Sequence, residues 1–267
     1  MDMSLTDAKF SVHDGVARFT LNRPDVLNAL TDGLKTDIIT MLDYLEDNEA
    51  VKVLVLAAEG RAFSAGGNVK SMQSNDAPPT VFRDRVRDMH TWLKRLYNLN
   101  CPVIAEVDGL AYGGGFALAL TADFVLASPK ARFCSVFGRI GLIPDMALLY
   151  TLPRAVGNQR AKELMYTARS IDAQEAMDLG LVLAVHPSEQ LPDAVNHFAS
   201  QLAQGSKDAI GLTKQLINRS HASDYDTMAE LEANGQSMMH ETAFHKEAVR
   251  RFVEKEPALF NWDENAG

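Results

Sequence analysis

PVIAEVDGLAYGGGFALALTADFVLAS, residues 102–128, carries the plan of the fold in one stretch. The run VIAEV after Pro102 is β-branched and apolar, and reads as a buried strand. Three consecutive glycines, Gly113 to Gly115, then feed FALAL, an apolar run that reads as a short helix. FVLAS resumes as a strand. Strand, glycine turn, buried helix and strand together describe parallel strands covered on both faces, the mark of an α/β core.

The same grammar recurs outward from this stretch. VKVLVLAA, residues 51–58, is a second buried strand and runs into GRAFSAGGN, a second glycine-rich turn. KFSVHDGVARFTLNRP, residues 9–24, reads as two strands joined at Asp14-Gly15. Thr31 is placed to cap a helix whose apolar face runs Leu34, Ile38, Leu42 and Leu45. An amphipathic helix is expected from about residue 82 to 99, followed by short strands at FVLAS and ARFCSVF. The segment after Pro144 reads as helix to about Val156, and NQRAKELMYTA as its continuation. SIDAQEAMDLGLVLAVHP reads as a capped helix stopped at Gly180 and then a strand. From about Glu189 onward only helical patterns remain. The expectation is an α/β core over residues 1–204 and a helical oligomerisation region over 205–267.

Composition narrows the function classes. A net charge of −9 argues against a nucleic-acid partner, which requires a basic face. No apolar run approaches the roughly 20 residues that cross a bilayer, so no membrane span is expected. MDMSLTDAKF lacks the basic and apolar parts of a secretory signal, which points to a cytoplasmic protein. Cys101 and Cys134 lie in apolar runs without metal-ligand spacing and read as buried free thiols. No ligand cluster suggests a metal or redox cofactor.

Three features could carry chemistry. The turns FSAGGN and YGGGFA each follow a buried strand, and two such turns brought together could aim backbone N–H groups at one oxygen. Taken singly, each is equally a tight strand–helix connection. Neither has the lysine and hydroxyl of a phosphate loop or the spacing of a dinucleotide fingerprint. The second feature is Asp145 in FGRIGLIPDMALLY, a carboxylate in apolar company. Burying it costs several kcal/mol unless it caps a helix, pairs or does chemistry. As the residue before an apolar helix it also fits an N-cap, worth about 1 kcal/mol. The third feature is a pair of isolated titratable groups, His90 in VRDMHTWLKRL and Glu106 in VIAEVDG. His90 reads as a surface histidine or a second proton carrier. Glu106 reads as a pocket acid or the partner of an arginine.

The chain resembles the crotonase superfamily, the enoyl-CoA hydratase and isomerase group. The resemblance runs through LNRPDVLNAL, GRAFSAGGNVKSM, PVIAEVDGLAYGGGFALALTADFVLAS, IGLIPD, LPRAVG, AQEAMDLGLV and FVEKEPALF, over about the whole chain. It implies a spiral of ββα units with a C-terminal helical layer that forms trimers, often paired into hexamers. It implies an acyl-CoA thioester as substrate, CoA being part of the substrate and no further cofactor. The N–H groups of Gly67 and Gly114 would hold the thioester oxygen. CoA would lie along Asn28, Ala29 and Leu30 and along Ala62, Phe63, Ala65 and Gly66, with Lys255 meeting a phosphate.

The departures from the family carry as much information. The two glutamates that place water in hydratases of this group fall here on Ala117 and Phe137, and neither can move a proton. Asp145 remains. It stands where the ring-epoxide isomerases of phenylacetate degradation have their single aspartate, and where aryl-CoA dehalogenases have a nucleophile assisted by a histidine on the helix of His90. The resemblance therefore implies an enoyl-CoA isomerase with Asp145 as its one acid/base, walled by Phe116, Phe137, Ile143 and Met146. Its alternatives are a hydrolase or dehalogenase-like enzyme with Asp145 as nucleophile or water base, and a thioester-binding protein without catalysis. Pocket depth is expected to depend on Met72, Phe82, Met89 and Trp92.

Overall fold

The computed structural model describes residues 1–67 and 78–262. Its larger sheet has seven strands in the order β1 (Asp2–Ser4), β2 (Ala8–His13), β3 (Val16–Leu21), β4 (Val53–Ala58), β6 (Val103–Val107), β8 (Phe124–Ala127) and β11 (Ala184–Val185). The first three pair antiparallel, with the hairpin turn at Asp14-Gly15, and the rest run parallel from β3 onward. A smaller sheet holds β10 (Ser170–Asp172), β9 (Arg132–Cys134), β7 (Leu110–Tyr112) and β5 (Ala62–Ser64), the last three parallel. The pairs β4–β5, β6–β7 and β8–β9 each place one strand in each sheet before the chain moves on. This is the expected spiral of ββα units.

The burial of β4 explains its unbroken apolar run. Val53 and Val55 face Leu191, Val195 and Ala199 of one helix, α6 (Leu191–Leu202), while Leu54 and Leu56 face the main core. Helix α1 (Asp32–Asp47) starts at Thr31, whose side-chain oxygen accepts from the Leu34 N–H at 3.0 Å. It buries Leu34, Ile38, Leu42 and Leu45 as their spacing demands, with Met41. Helix α2 (Pro79–Tyr97) buries only Trp92, Leu93 and Leu96 near its C-terminal end. Helix α3 (Gly114–Ala119) is buried throughout, and α4 (Leu148–Thr167) breaks at Gly157, where φ is 74°. After α5 (Ala173–Asp178) and α6 come α7 (Lys207–Ser220), α8 (Tyr225–His240) and α9 (Ala243–Glu254).

The strands β5 and β7 are three residues each and lie in stretches read from sequence as glycine turns. Too short to show alternation, they are held by pairing with each other and with β9. Both thiols are buried and free, and burial pushes Cys101 up to about 11 and Cys134 in the same direction. Among the described residues, no helix is long and apolar enough to cross a membrane.

One ion pair pins α7 to the core. Lys214 Nζ donates to Asp123 Oδ2 at 2.8 Å and to the Cys101 carbonyl at 3.1 Å, and Asp123 also accepts from the Val103 N–H at 2.7 Å. The lysine side chain is only 6% exposed. Lys214→Met leaves the carboxylate without its counter-charge, and the expected loss is about 3–5 kcal/mol. Urea unfolding of the variant should show a lower midpoint; an unchanged midpoint would mean the pair contributes nothing net.

Candidate active site

The two glycine turns meet. Pairing of β5 with β7 delivers both turns to one edge of the smaller sheet. Gly66 has φ of 81°, and a β-carbon there would lie 2.7 Å from the Tyr112 carbonyl oxygen and 2.8 Å from the Gly114 nitrogen. A β-carbon on Gly115 would lie 2.1 Å from the Ser64 oxygen. These positions are glycine because the facing backbone leaves no room. Among the described residues, neither the Gly67 N–H nor the Gly114 N–H finds an acceptor. Gly114 opens α3, where an unpaired N–H is the rule.

The loop of residues 27–30 braces this arrangement from below. Leu30 bridges to Gly67 and donates to the Gly66 oxygen at 2.9 Å. Asn28 is buried, and its amide donates to the Glu59 and Ala62 carbonyls at 2.9 and 2.8 Å. Ser64 Oγ donates to the Asn28 oxygen at 2.7 Å and accepts from the Gly66 N–H at 3.1 Å. Of the residues expected along a bound CoA, Asn28, Ala62 and Phe63 are 1%, 1% and 0% exposed. They are committed to the protein itself. A ligand along this loop meets its backbone and the partly exposed Ala29, Leu30 and Ala65.

Asp145 enters from the opposite side. The next residue, Met146, packs on Gly114: a β-carbon on that glycine would lie 2.8 Å from Met146 Sδ and 2.7 Å from Leu30 Cδ1. Met146 and Ala147 are both left-handed, with φ of 49° and 64°. Such a pair of non-glycine residues costs of order 1–3 kcal/mol each and occurs where function or packing demands it. The cap of α4 is Ala147, with no side-chain hydrogen bond, so the N-cap alternative for Asp145 fails. Its carboxylate lines a cavity of about 1330 Å³ between α2, residues 142–150 and α7. It is the only Asp or Glu among the described residues lining that cavity. Burial raises its pKa above the usual carboxylate value, and the charge of His90 opposes that rise.

His90 lines the same cavity. Ile143, Phe82 and Met89 line it as expected, but the rest of the foreseen wall lies elsewhere. Phe116 packs on Phe133 in the core with ring centroids 5.6 Å apart, Trp92 is buried on the core side of α2, and Phe137 sits under Gly113. Met72 lies outside the described residues. Ala117 is fully buried in α3. Glu106 is corrected from pocket candidate to structural partner: its Oε2 accepts from Arg18 at 2.9 Å, and Arg18 also reaches Asn196. Lys255 ends α9 and does not line the cavity.

Sequence reading missed Lys94, Tyr97, Tyr150 and the α7 residues Gln215, Asn218 and Arg219, all on the cavity wall. The signal was present in α2: positions 82, 85, 86, 89, 90, 93, 94 and 97, with Asn98 just beyond its end, fall on one helical face.

The sequence profile of the enoyl-CoA hydratase/isomerase family matches residues 11–265. A relative named 1,2-epoxyphenylacetyl-CoA isomerase, from Escherichia coli strain K12, is 33% identical over 93% of this chain and 96% of its own. A trans-2-decenoyl-[acyl-carrier-protein] isomerase of Streptococcus mutans is 31% identical over 97% and 99%. A crystal structure described as an enoyl-CoA hydratase/isomerase from Cupriavidus metallidurans CH34 superposes with a TM-score of 0.93 at 40% identity, covering 97% of both chains. A chain with this spiral, these paired glycine turns and this breadth of match belongs to the enoyl-CoA hydratase/isomerase family.

Proposed function

We propose that this enzyme moves a carbon–carbon double bond in an acyl-CoA thioester, with Asp145 as its single proton carrier. The carrying observation is that Asp145, unpaired and uncapped, is the only carboxylate on the cavity wall among the described residues. It breaks a C–H bond and takes the proton, the electron pair moves onto the thioester oxygen, and the proton returns at the other end of the conjugated system. The N–H groups of Gly67 and Gly114 hold the resulting enolate oxygen. Donors of this kind act most strongly in a site that excludes water. Ala117 and Phe137, at the positions where the hydratase glutamates fall, favour isomerisation over hydration. Proton NMR of 3-enoyl- and 2-enoyl-CoA in D2O tests this: double-bond migration with deuterium entering the α or γ carbon is expected. Accumulation of 3-hydroxyacyl-CoA alone would sink it.

His90 on the same wall favours one second reading, in which Asp145 is a nucleophile or water base for acyl-CoA hydrolysis or dehalogenation. Its nucleophilic form requires an anhydride or ester on Asp145, detectable by mass spectrometry of acid-quenched enzyme, whereas its water-base form releases CoA or halide with no adduct on the enzyme.

The pH profile follows from the site. A base must be ionised to act, and burial holds Asp145 partly against ionisation. The acid limb of kcat/KM should therefore lie above the usual carboxylate value. When protonated, His90 favours the carboxylate, so His90→Gln should shift that limb further up. A limb that stays in place would remove His90 from the electrostatics of the site.

The enzyme acts as a trimer or a pair of trimers in this reading. The support is apolar surface on the last helices, where Tyr225, Phe252 and Val253 are 87%, 85% and 71% exposed. Light scattering should give three or six chain masses, and Phe252→Asp should shift the distribution toward one; a wild-type monomer would overturn the assembly.

A further inference from the structure

Seven non-glycine residues among those described have left-handed backbone. Three stand singly where such a residue is routine: Asp14 in the hairpin turn, and Ala168 and Lys255 at the C-caps of α4 and α9. The other four form two consecutive pairs, Leu27-Asn28 and Met146-Ala147. Both pairs flank the glycine turns. The Leu27 carbonyl accepts from the Ala65 N–H at 2.9 Å, the Asn28 carbonyl accepts from Ser64 Oγ at 2.7 Å, and Met146 packs on Gly114. Strain gathered on two sides of one site persists because the contacts around it over-determine the backbone.

At the second pair the chain alternates between two environments. Met146 and Leu148 are buried, while Asp145 and Ala147 line the cavity. The carbonyls on either side of Met146 are committed to the first turn of α4. That of Asp145 accepts from the Leu148 N–H at 3.0 Å, and that of Ala147 from the Tyr150 and Thr151 N–H groups at 2.8 and 2.9 Å. Rotating either φ to the ordinary helical value, a change of roughly 110–120°, would carry Met146 off Gly114 or Asp145 off the cavity wall. Leu30, which bridges to Gly67, also presses on Gly114. Met146 thus joins the segment carrying Asp145 directly to the turn that faces it.

We infer that Met146 and Ala147 are positioning residues: their strained bend, braced by the Met146 thioether on Gly114, fixes where the Asp145 carboxylate stands relative to the glycine N–H groups. Neither side chain moves a proton. Stability is lost to placement, since a glycine in this bend would relieve the strain and let the carboxylate wander. The inference rests on the isomerase reading for its effect on turnover, but not for its geometry.

Ala147→Gly is the first variant to make, because it removes the strain at that position and leaves Met146 in place. Ala168→Gly is its control, the same substitution in left-handed backbone at the other end of α4, away from the described cavity lining. Both should raise the thermal midpoint by about 2–4 °C. Only Ala147→Gly should lower kcat for double-bond migration, by about 10- to 100-fold with KM little changed, as a misplaced group does. Met146→Ala should lose kcat as well as stability, and Met146→Leu, which keeps the volume, should recover most of both. Crystal structures of wild type and Ala147→Gly give the reading that needs no turnover: the Asp145 carboxylate is expected to be displaced, or spread over more than one position, in the variant. An Asp145 in one unchanged position would overturn the inference. So would an unchanged kcat in Ala147→Gly, or a loss confined to KM, which would mean a lost methyl contact with the substrate. If wild type moves no double bond, the isomerase reading fails by itself and the crystal structures still decide the role of the bend.

Discussion

Asp145→Asn is expected to cut double-bond migration and α/γ deuterium exchange by about 10²–10⁴-fold, the range a positioned proton carrier supplies. Shape and volume are kept, so acyl-CoA binding should change little. Folding should not suffer. The carboxylate makes no capping bond and its pKa is raised by burial, so at neutral pH the folded state carries a charge it would sooner lose. A neutral amide removes that cost, and its thermal midpoint should equal or exceed the wild-type value. Asp145→Ala separates the cap alternative by unfolding: loss of a cap would cost about 1 kcal/mol. Retention of exchange in Asp145→Asn would overturn the single-base mechanism outright.

Gly66→Ala is expected to cost almost as much by a different route. Its φ of 81° strains any L side chain, and its β-carbon would press between the Tyr112 oxygen at 2.7 Å and the Gly114 nitrogen at 2.8 Å. The two turns must part for the methyl to fit. If Gly67 and Gly114 hold the enolate oxygen as proposed, separating them should lower kcat by about 10²–10³-fold, comparable to deleting an oxyanion donor. Gly141→Ala is the control. Its φ of 71° is similar, but nothing lies within 4 Å of the added carbon, so it carries the strain without the intrusion. Equal kcat for the two variants would mean that closure of the turns on each other does not matter to the chemistry.

The long elements of this protein were readable because their patterns are local. The spacing Leu34, Ile38, Leu42, Leu45 behind Thr31 specifies α1, and the run VLVLAA specifies a strand buried on both sides. Asp145 stood out because a carboxylate among apolar residues needs a reason. Glu106 looked equally anomalous and proved to answer Arg18, which is 88 residues away in the chain. No local pattern announces such a partner. Phe116 and Trp92 were expected at the pocket because aromatic residues near a site read as its wall; the core took both. The α7 wall of the cavity escaped notice because it comes from a region whose sequence shows only an amphipathic helix.

The seam between the two sheets has a consequence for how this protein comes into being. Gly66 and Gly114 touch only after β5 has paired with β7, a closure spanning 48 residues, and Asn28 must already have found the Ala62 carbonyl across 34. Contacts so distant in sequence form late, because the loops they close must first lose their freedom. A nascent or refolding chain can thus hold most of its helices and its outer hairpin while remaining chemically mute. On the proposed mechanism, the capacity to hold a thioester oxygen arrives with the final locking of the small sheet, and partly assembled chains are unable to consume substrate.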